Sequence, residues 1–191
     1  MKRSILMGAT AAALLFCAAG TTRAADPDSG SAAAYCTQTG GEVISRVPAY
    51  GTNGPPSSWL ILTGERNFCQ YTSATDGSRI HVLLETLYAT TPTLAAMAYD
   101  AKVPPNPPGP GNPASYYCTQ LGGSDLFGGV NAAGGGWYGK GSEDAVLEAC
   151  IFPDMSSIDS WGLTYNAEGI IRGIDLTTVL RYTGPAVKKS K

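Results

Sequence analysis

The sequence predicts an α+β protein built from two tandem repeats. Each repeat holds a short helix, a small antiparallel sheet and a second helix, closed by one disulfide of its own. Three observations predict this. The stretch Ala34-Tyr35-Cys36-Thr37-Gln38-Thr39-Gly40-Gly41 returns as Tyr116-Tyr117-Cys118-Thr119-Gln120-Leu121-Gly122-Gly123. A second cysteine follows each copy inside an apolar run, Cys69 in the first and Cys150 in the second. Beyond it, Asp76, Ser78, Ile80, Thr86 and Ala89 recur at one constant offset as Asp154, Ser156, Ile158, Thr164 and Ala167. Two copies are too few for a solenoid, so the pattern reads as two tandem domains. The boundaries are 32–102 for the first repeat, 103–111 for a linker and 112–183 for the second repeat.

The chain opens with Lys2 and Arg3, an apolar run from Ile5 to Ala19, and Thr22-Arg23-Ala24. A basic start, a short apolar core and small residues at the end make residues 1–24 a secretory signal peptide. Cleavage is expected after Ala24, with Ala19–Gly20 as the second choice. The apolar run is too short for a good membrane span. Cys17 follows Phe16 rather than a small residue, which argues against lipidation, and it leaves with the signal. Removing Lys2, Arg3 and Arg23 from the 13 basic residues leaves 10 against 15 acidic ones. That acidic balance argues against nucleic acid as a partner. Lys188, Lys189 and Lys191 make residues 184–191 a solvated basic tail. The expected location is periplasmic or secreted.

Four cysteines remain, an even count that in an exported chain implies disulfides. A unit copied whole carries its own bridge, so the pairs are Cys36–Cys69 and Cys118–Cys150. Each closes a loop of about thirty residues, a stabilisation of about 3–4 kcal/mol in the chain-entropy model. No CxxC pair is present and His81 is the only histidine, so no metal site and no cofactor is expected.

The elements follow in order. Ala32 to Thr39 forms a short helix ended by Gly40 or Gly41. In the second copy Asn112 is the N-cap, Pro113 fits the first turn, and Gly122 takes the left-handed C-terminal position. Glu42 to Val47 is a strand, and Ser124 to Val130 its counterpart, interrupted by Gly128-Gly129. Residues 51–58 and 131–141 are Gly-rich loops. Trp59 to Leu62 and Asn67 to Thr72 read as a hairpin around Gly64-Glu65-Arg66. In the second copy the Cys150 strand runs from Ala145 to Phe152, with a partner around Trp137-Tyr138. Ile80, Leu83, Leu84 and Leu87 recur at helical spacing, as do Ile158, Trp161 and Tyr165. Ser156-Ser157-Ile158-Asp159 resembles a capping box for that second helix. Leu94 to Tyr99 and Ile170 to Leu176 close the copies as short strands. Between the copies, Val103 to Gly111 is a stiff Pro-rich spacer of about 3.1 Å per residue.

The pattern Asn112-Pro113-Ala114-Ser115-x-Tyr117-Cys118-x-x-x-Gly122-Gly123, then Cys150-x-Phe152-Pro153-Asp154-x-Ser156 and Trp161, resembles a family of small bacterial exported domains. Its members are labelled haemolysins or domains of unknown function. The resemblance covers about residues 112–165, and 34–88 more faintly. The family pattern adds a cysteine two residues after the Ser, where this chain has Ile158 and Ile80. The resemblance implies an exported, bridged domain and supplies no catalytic residues.

No repeated polar constellation marks an active site. Gly134-x-x-x-x-Gly139-Lys140-Gly141 approaches a nucleotide-binding loop but lacks its Ser or Thr and its α/β setting. His81 has no nucleophile at a recognisable spacing and reads as a surface or helix-start residue. Asp154 with Asp159, and Glu143 with Asp144 and Glu148, fit no calcium loop or catalytic pair. Asp76 and Asp154 read as turn residues. Trp161 reads as core. Trp137, Tyr138 and Trp59 are the candidate binding residues, as aromatics on loops 51–58 and 131–142. The expectation is therefore a non-catalytic exported binding or inhibitor-like module for an unknown protein or cell-envelope ligand. The alternatives are a membrane-active, haemolysin-like protein and, behind it, a cell-envelope hydrolase.

Overall fold

The fold is described from a computed structural model, which covers residues 27–182 apart from 108, 110, 126–132 and 143. The expected signal peptide 1–24, the expected 184–191 tail, Glu143 and most of the Ser124–Val130 segment lie outside the described residues. In chain order the elements are α1 (Pro27–Gln38), β1 (Glu42–Tyr50), β2 (Leu60–Ile61), β3 (Arg66–Thr72), β4 (Arg79–Leu83), α2 (Leu84–Tyr88) and α3 (Leu94–Ala101). Then come α4 (Pro113–Gln120), β5 (Gly135–Tyr138), β6 (Val146–Leu147), β7 (Ala149–Ile151), β8 (Ser157–Asp159) and α5 (Ser160–Ala167).

All described strands join one antiparallel sheet in the order β6-β5-β1-β3-β4-β8-β7, with β2 also on β1. The two ends of that order, β6 and β7, are separated in the chain by Glu148 alone. One short stretch thus pairs with β5 through its first half and with β8 through its second. The sheet curls back on itself into a near-barrel.

Strand alternation then decides what lies on each face. Cys69, Tyr71, Ile80, Val82, Cys150 and Ile158 point outward, where α1 to α5 cover them in the larger core. Phe68, Leu83, Trp137, Leu147 and Ala149 point the other way and meet in a second cluster. Those five come from both ends of the sheet order and from its central strands β3 and β4, so only a curled sheet brings them together.

Both predicted bridges are present. Cys36–Cys69 ties α1 to β3, and Cys118–Cys150 ties α4 to β7. Gly41 and Gly123 lie against them: a Cβ there would stand 2.3 Å from Cys69 Sγ and 2.4 Å from Cys150 Sγ. No larger residue fits without displacing the bridge. Asn112 caps α4, accepting from Ala114 N at 2.9 Å, with Pro113 in the first turn.

Several elements differ from expectation. Leu94 to Tyr99 is helical, because Thr93 caps an Ala-rich segment. Asp154 and Ser156 complete that cap by accepting from Leu94 N and Ala95 N. Ile170 to Leu176 is irregular and ends in a 3-10 turn, Leu176–Thr178. There Gly173 brings the backbone so close to Tyr71 O that a strand side chain has no room. β2 and β3 do not form a hairpin with each other; both pair with β1. The expected helix from Ile80 begins as strand β4 and turns helical only at Leu84. Its counterpart is strand to Asp159, and that residue, not Ser156, caps α5. Residues 103–107 lie along α4: Tyr117 Oη donates to Val103 O at 2.6 Å and Gln120 Nε2 to Pro104 O at 2.9 Å.

Replacing Cys36 and Cys69 together by Ser is expected to cost about 3–4 kcal/mol of unfolding free energy in a urea titration. A loss below about 1 kcal/mol would show that α1 does not need its staple.

Candidate functional site

The inner face of the near-barrel divides into an apolar part and a polar part. The polar part starts from β4, where Arg79, His81 and Leu83 alternate with the outward Ile80 and Val82. Register sets His81 opposite Gln70 of β3, and its Nε2 lies 2.9 Å from Gln70 Oε1. On its other side the Val82–Ile158 pairing brings Asp159 alongside. Asp159 Oδ2 accepts from His81 N at 2.6 Å and lies 3.6 Å from His81 Nδ1. Asp159 Oδ1 accepts from Gly162 N as the α5 cap. His81 is 2% exposed, so the expected surface or helix-start histidine is a buried strand residue.

Arg46 of β1 points into the same space and is 0% exposed. Its Nη1 donates to Trp137 O at 3.1 Å and Asp144 O at 2.7 Å. Its Nη2 donates to Ser142 Oγ at 3.1 Å and stands 3.3 Å from His81 Nε2. Burial pulls the Arg46 guanidinium down to about 10, against the opposing pull of the Asp144 and Asp159 charges. It therefore remains a cation at neutral pH.

Around this centre opens a pocket of ≈ 330 Å³ whose walls include Arg79, Asp144, Glu148, Asp159, Trp161 and Arg172. Asp144 accepts from Arg79 Nε at 2.5 Å and Nη2 at 3.3 Å. Burial alone would raise the Asp144 carboxyl. The Arg79 hydrogen bond and the His81, Arg79 and Arg46 charges outweigh it and hold the group below its ordinary value. Glu148 accepts from Asn112 Nδ2 at 2.5 Å. Trp161, expected in the core, is half-buried on the pocket wall, with its ring 5.8 Å from that of Tyr165. Arg172 sits over the other partner of that stack, 5.1 Å from the Tyr165 centroid. Its Nε is buried without a hydrogen-bond acceptor among the described residues. A buried donor left in that state costs about 1–3 kcal/mol.

The three aromatic candidates separate. Trp137 is a strand residue only 8% exposed, packed on Phe68 at 5.8 Å between centroids, so it is not offered on a loop. Trp59 and Tyr138 do meet, edge to face at 5.6 Å, and Trp59 Nε1 donates to Gly54 O. Along the neighbouring β1–β2 pairing Tyr50, Leu60, Ile61 and Leu62 are exposed, Leu60 at 58%. Asp76 and Asp154 are turn residues, each accepting from the amide and hydroxyl two residues on. Lys140 is exposed, while the neighbouring Gly139 packs against the Arg46 guanidinium. Among the described residues no three of His, Cys, Asp and Glu converge as a metal-ligand set.

Sequence reasoning missed Arg46, Gln70, Arg79 and Arg172. The signal for the β4 pair was the alternation Arg79-Ile80-His81-Val82-Leu83 at a period of two. Arg172 carries no local signal. Compared with protein-family models, curated proteins and solved structures, the chain matches none.

Arg46→Ala is expected to cost about 3–5 kcal/mol in urea unfolding, because two buried carbonyls and Ser142 lose their donor. A loss under about 1 kcal/mol would contradict the central role of the guanidinium. Asp144 has a folded value below its unfolded one, so its stabilisation is complete above the ordinary carboxylate range and is lost as pH falls through the folded value. Asp144→Asn should flatten that acid limb of the stability-against-pH curve. An unchanged limb would place the acid sensitivity elsewhere.

Proposed function

We propose that the chain is an exported, non-catalytic binding module that takes a small polar ligand in the pocket at the polar end of the near-barrel. The observation that carries this reading is the pocket itself. It gathers two guanidiniums, three carboxylates and an aromatic wall, and one of those guanidiniums, Arg172, has no carboxylate partner among the described residues. Concave sites with a few convergent polar groups are where small molecules bind. The non-catalytic part is supported by His81: both ring nitrogens face protein groups, Asp159 on one side and Gln70 with Arg46 on the other. Export is supported by the two disulfides. Among the described residues no helix is long and apolar enough to cross a membrane.

The same reading treats the two cysteine-bearing halves as descendants of one duplicated unit sharing a single sheet. Support comes from like details: Gly40 and Gly122 at φ +89° and +84°, the crowded Gly41 and Gly123, and the twin Asp-x-Ser turns. The Ser124–Ile151 bridge also mirrors the Glu42–Gln70 pair.

A second reading is favoured by the apolar edge at Leu60, Ile61 and Leu62. It would serve membrane contact, in keeping with the resemblance to haemolysin-labelled domains. Dye release from anionic vesicles that disappears in Leu60→Glu would support it.

The pocket reading is tested by two-dimensional NMR with small-molecule extract from cell envelopes. Shifts are expected at His81, Asp144 and the Trp161 indole, and should vanish in Trp161→Ala. Shifts confined to Trp59, Leu60 and Tyr138 would contradict the pocket and favour the edge.

A further inference from the structure

The two guanidiniums of the pocket differ in state. Arg79 places Nε and Nη2 on the Asp144 carboxylate. Arg172 has no carboxylate partner among the described residues; its Cζ lies over the Tyr165 ring, 5.1 Å from the centroid, and its buried Nε has no acceptor. A guanidinium set beside an aromatic ring, with no carboxylate of its own, can still offer its terminal Nη pair, and that pair matches a carboxylate or phosphate in two parallel hydrogen bonds. The rest of the pocket restricts the choice. Asp144, Glu148 and Asp159 line the same space and repel a doubly charged anion. Carboxylates only accept, so beside them a ligand gains from hydroxyl or ammonium donors. A volume of ≈ 330 Å³ lies at the lower end of ligand sites and suits a molecule the size of one amino acid or one sugar.

We infer that the pocket binds a small monocarboxylate carrying hydroxyl or ammonium donors, with its carboxylate on Arg172 and its donors toward Asp144, Glu148 and Asp159. The inference rests on the pocket reading above. Trp161 supplies the flat wall for the body of the ligand. Two sources share this chemistry, free amino acids and acidic sugars.

The test titrates the disulfide-bonded chain by calorimetry and NMR with five probes. They are a mixture of free L-amino acids, the corresponding amino acid amides, glucuronate, glucose and inorganic phosphate. Either the amino acids or glucuronate should bind, with shifts at Trp161 and His81, and the arm that binds identifies the source. The matching amide or glucose should bind about ten- to hundredfold more weakly. Arg172→Gln should lose the same factor while its spectrum stays dispersed, and Arg172→Lys should recover part of it. Phosphate binding more tightly than both carboxylate probes would overturn the inference, as would carboxylate binding unchanged in Arg172→Gln. Glucose or the amides shifting Trp161 as strongly as the acids would leave the pocket reading standing and remove the carboxylate anchor. Pocket resonances unmoved by every probe would overturn the inference, while the pocket reading itself falls only if the envelope extract also leaves them unmoved.

Discussion

The guanidinium of Arg46 connects parts of the chain that sequence separates. From β1 it reaches the Trp137 carbonyl in β5, the Asp144 carbonyl and Ser142 hydroxyl in the following loop, and His81 in β4. Arginine suits this place because its planar fork offers five donors in fixed directions and stays charged when buried. A lysine would offer one point of charge and could not reach all three segments. The loop that Arg46 fixes is the one that presents Asp144 to Arg79, so the pocket wall depends on a residue beneath it.

Burying that charge costs free energy, and the surroundings offset it with acceptors and with the nearby Asp144 and Asp159 charges. The outer face solves a different problem. Its helices are short, and short helices depend on packing rather than on their own hydrogen bonds. The two bridges each staple one of them to a strand, α1 to β3 and α4 to β7. Asp125 adds a buried tie between α4 and α5, accepting from Ser115 Oγ and Ser160 Oγ. Helix-to-sheet stapling outside and a polar clasp inside hold opposite faces of one curled sheet.

Local chemistry in the sequence was legible. The cysteine pairs, the Asn112-Pro113 cap, the Gly122 turn and the Asp-x-Ser turns all stand where residue type and spacing place them. The failures have a common cause. At Ile80 to Leu87 a strand runs straight into a helix, and the apolar residues of both imitate one helical stripe. At Trp137 the neighbouring glycines read as a loop, yet they let β5 pass close to β6, where a Cβ on Gly136 would meet Val146 and Leu147. Closure of the sheet depends on pairings between distant segments, and Arg172 is brought to the pocket by a segment after α5 that packs at Gly173 on Tyr71, Ser78 and Ile80. Neither leaves a mark in local periodicity.

The pocket exists only if residues 146–151 belong to both ends of the sheet at once. The direct measurement is a solution map of short proton–proton distances along that stretch. The account predicts cross-strand contacts from Leu147 to Trp137 and from Cys150 to Ile158 in the same folded species. Finding one set without the other would mean an open sheet, with Arg46 and His81 no longer enclosed.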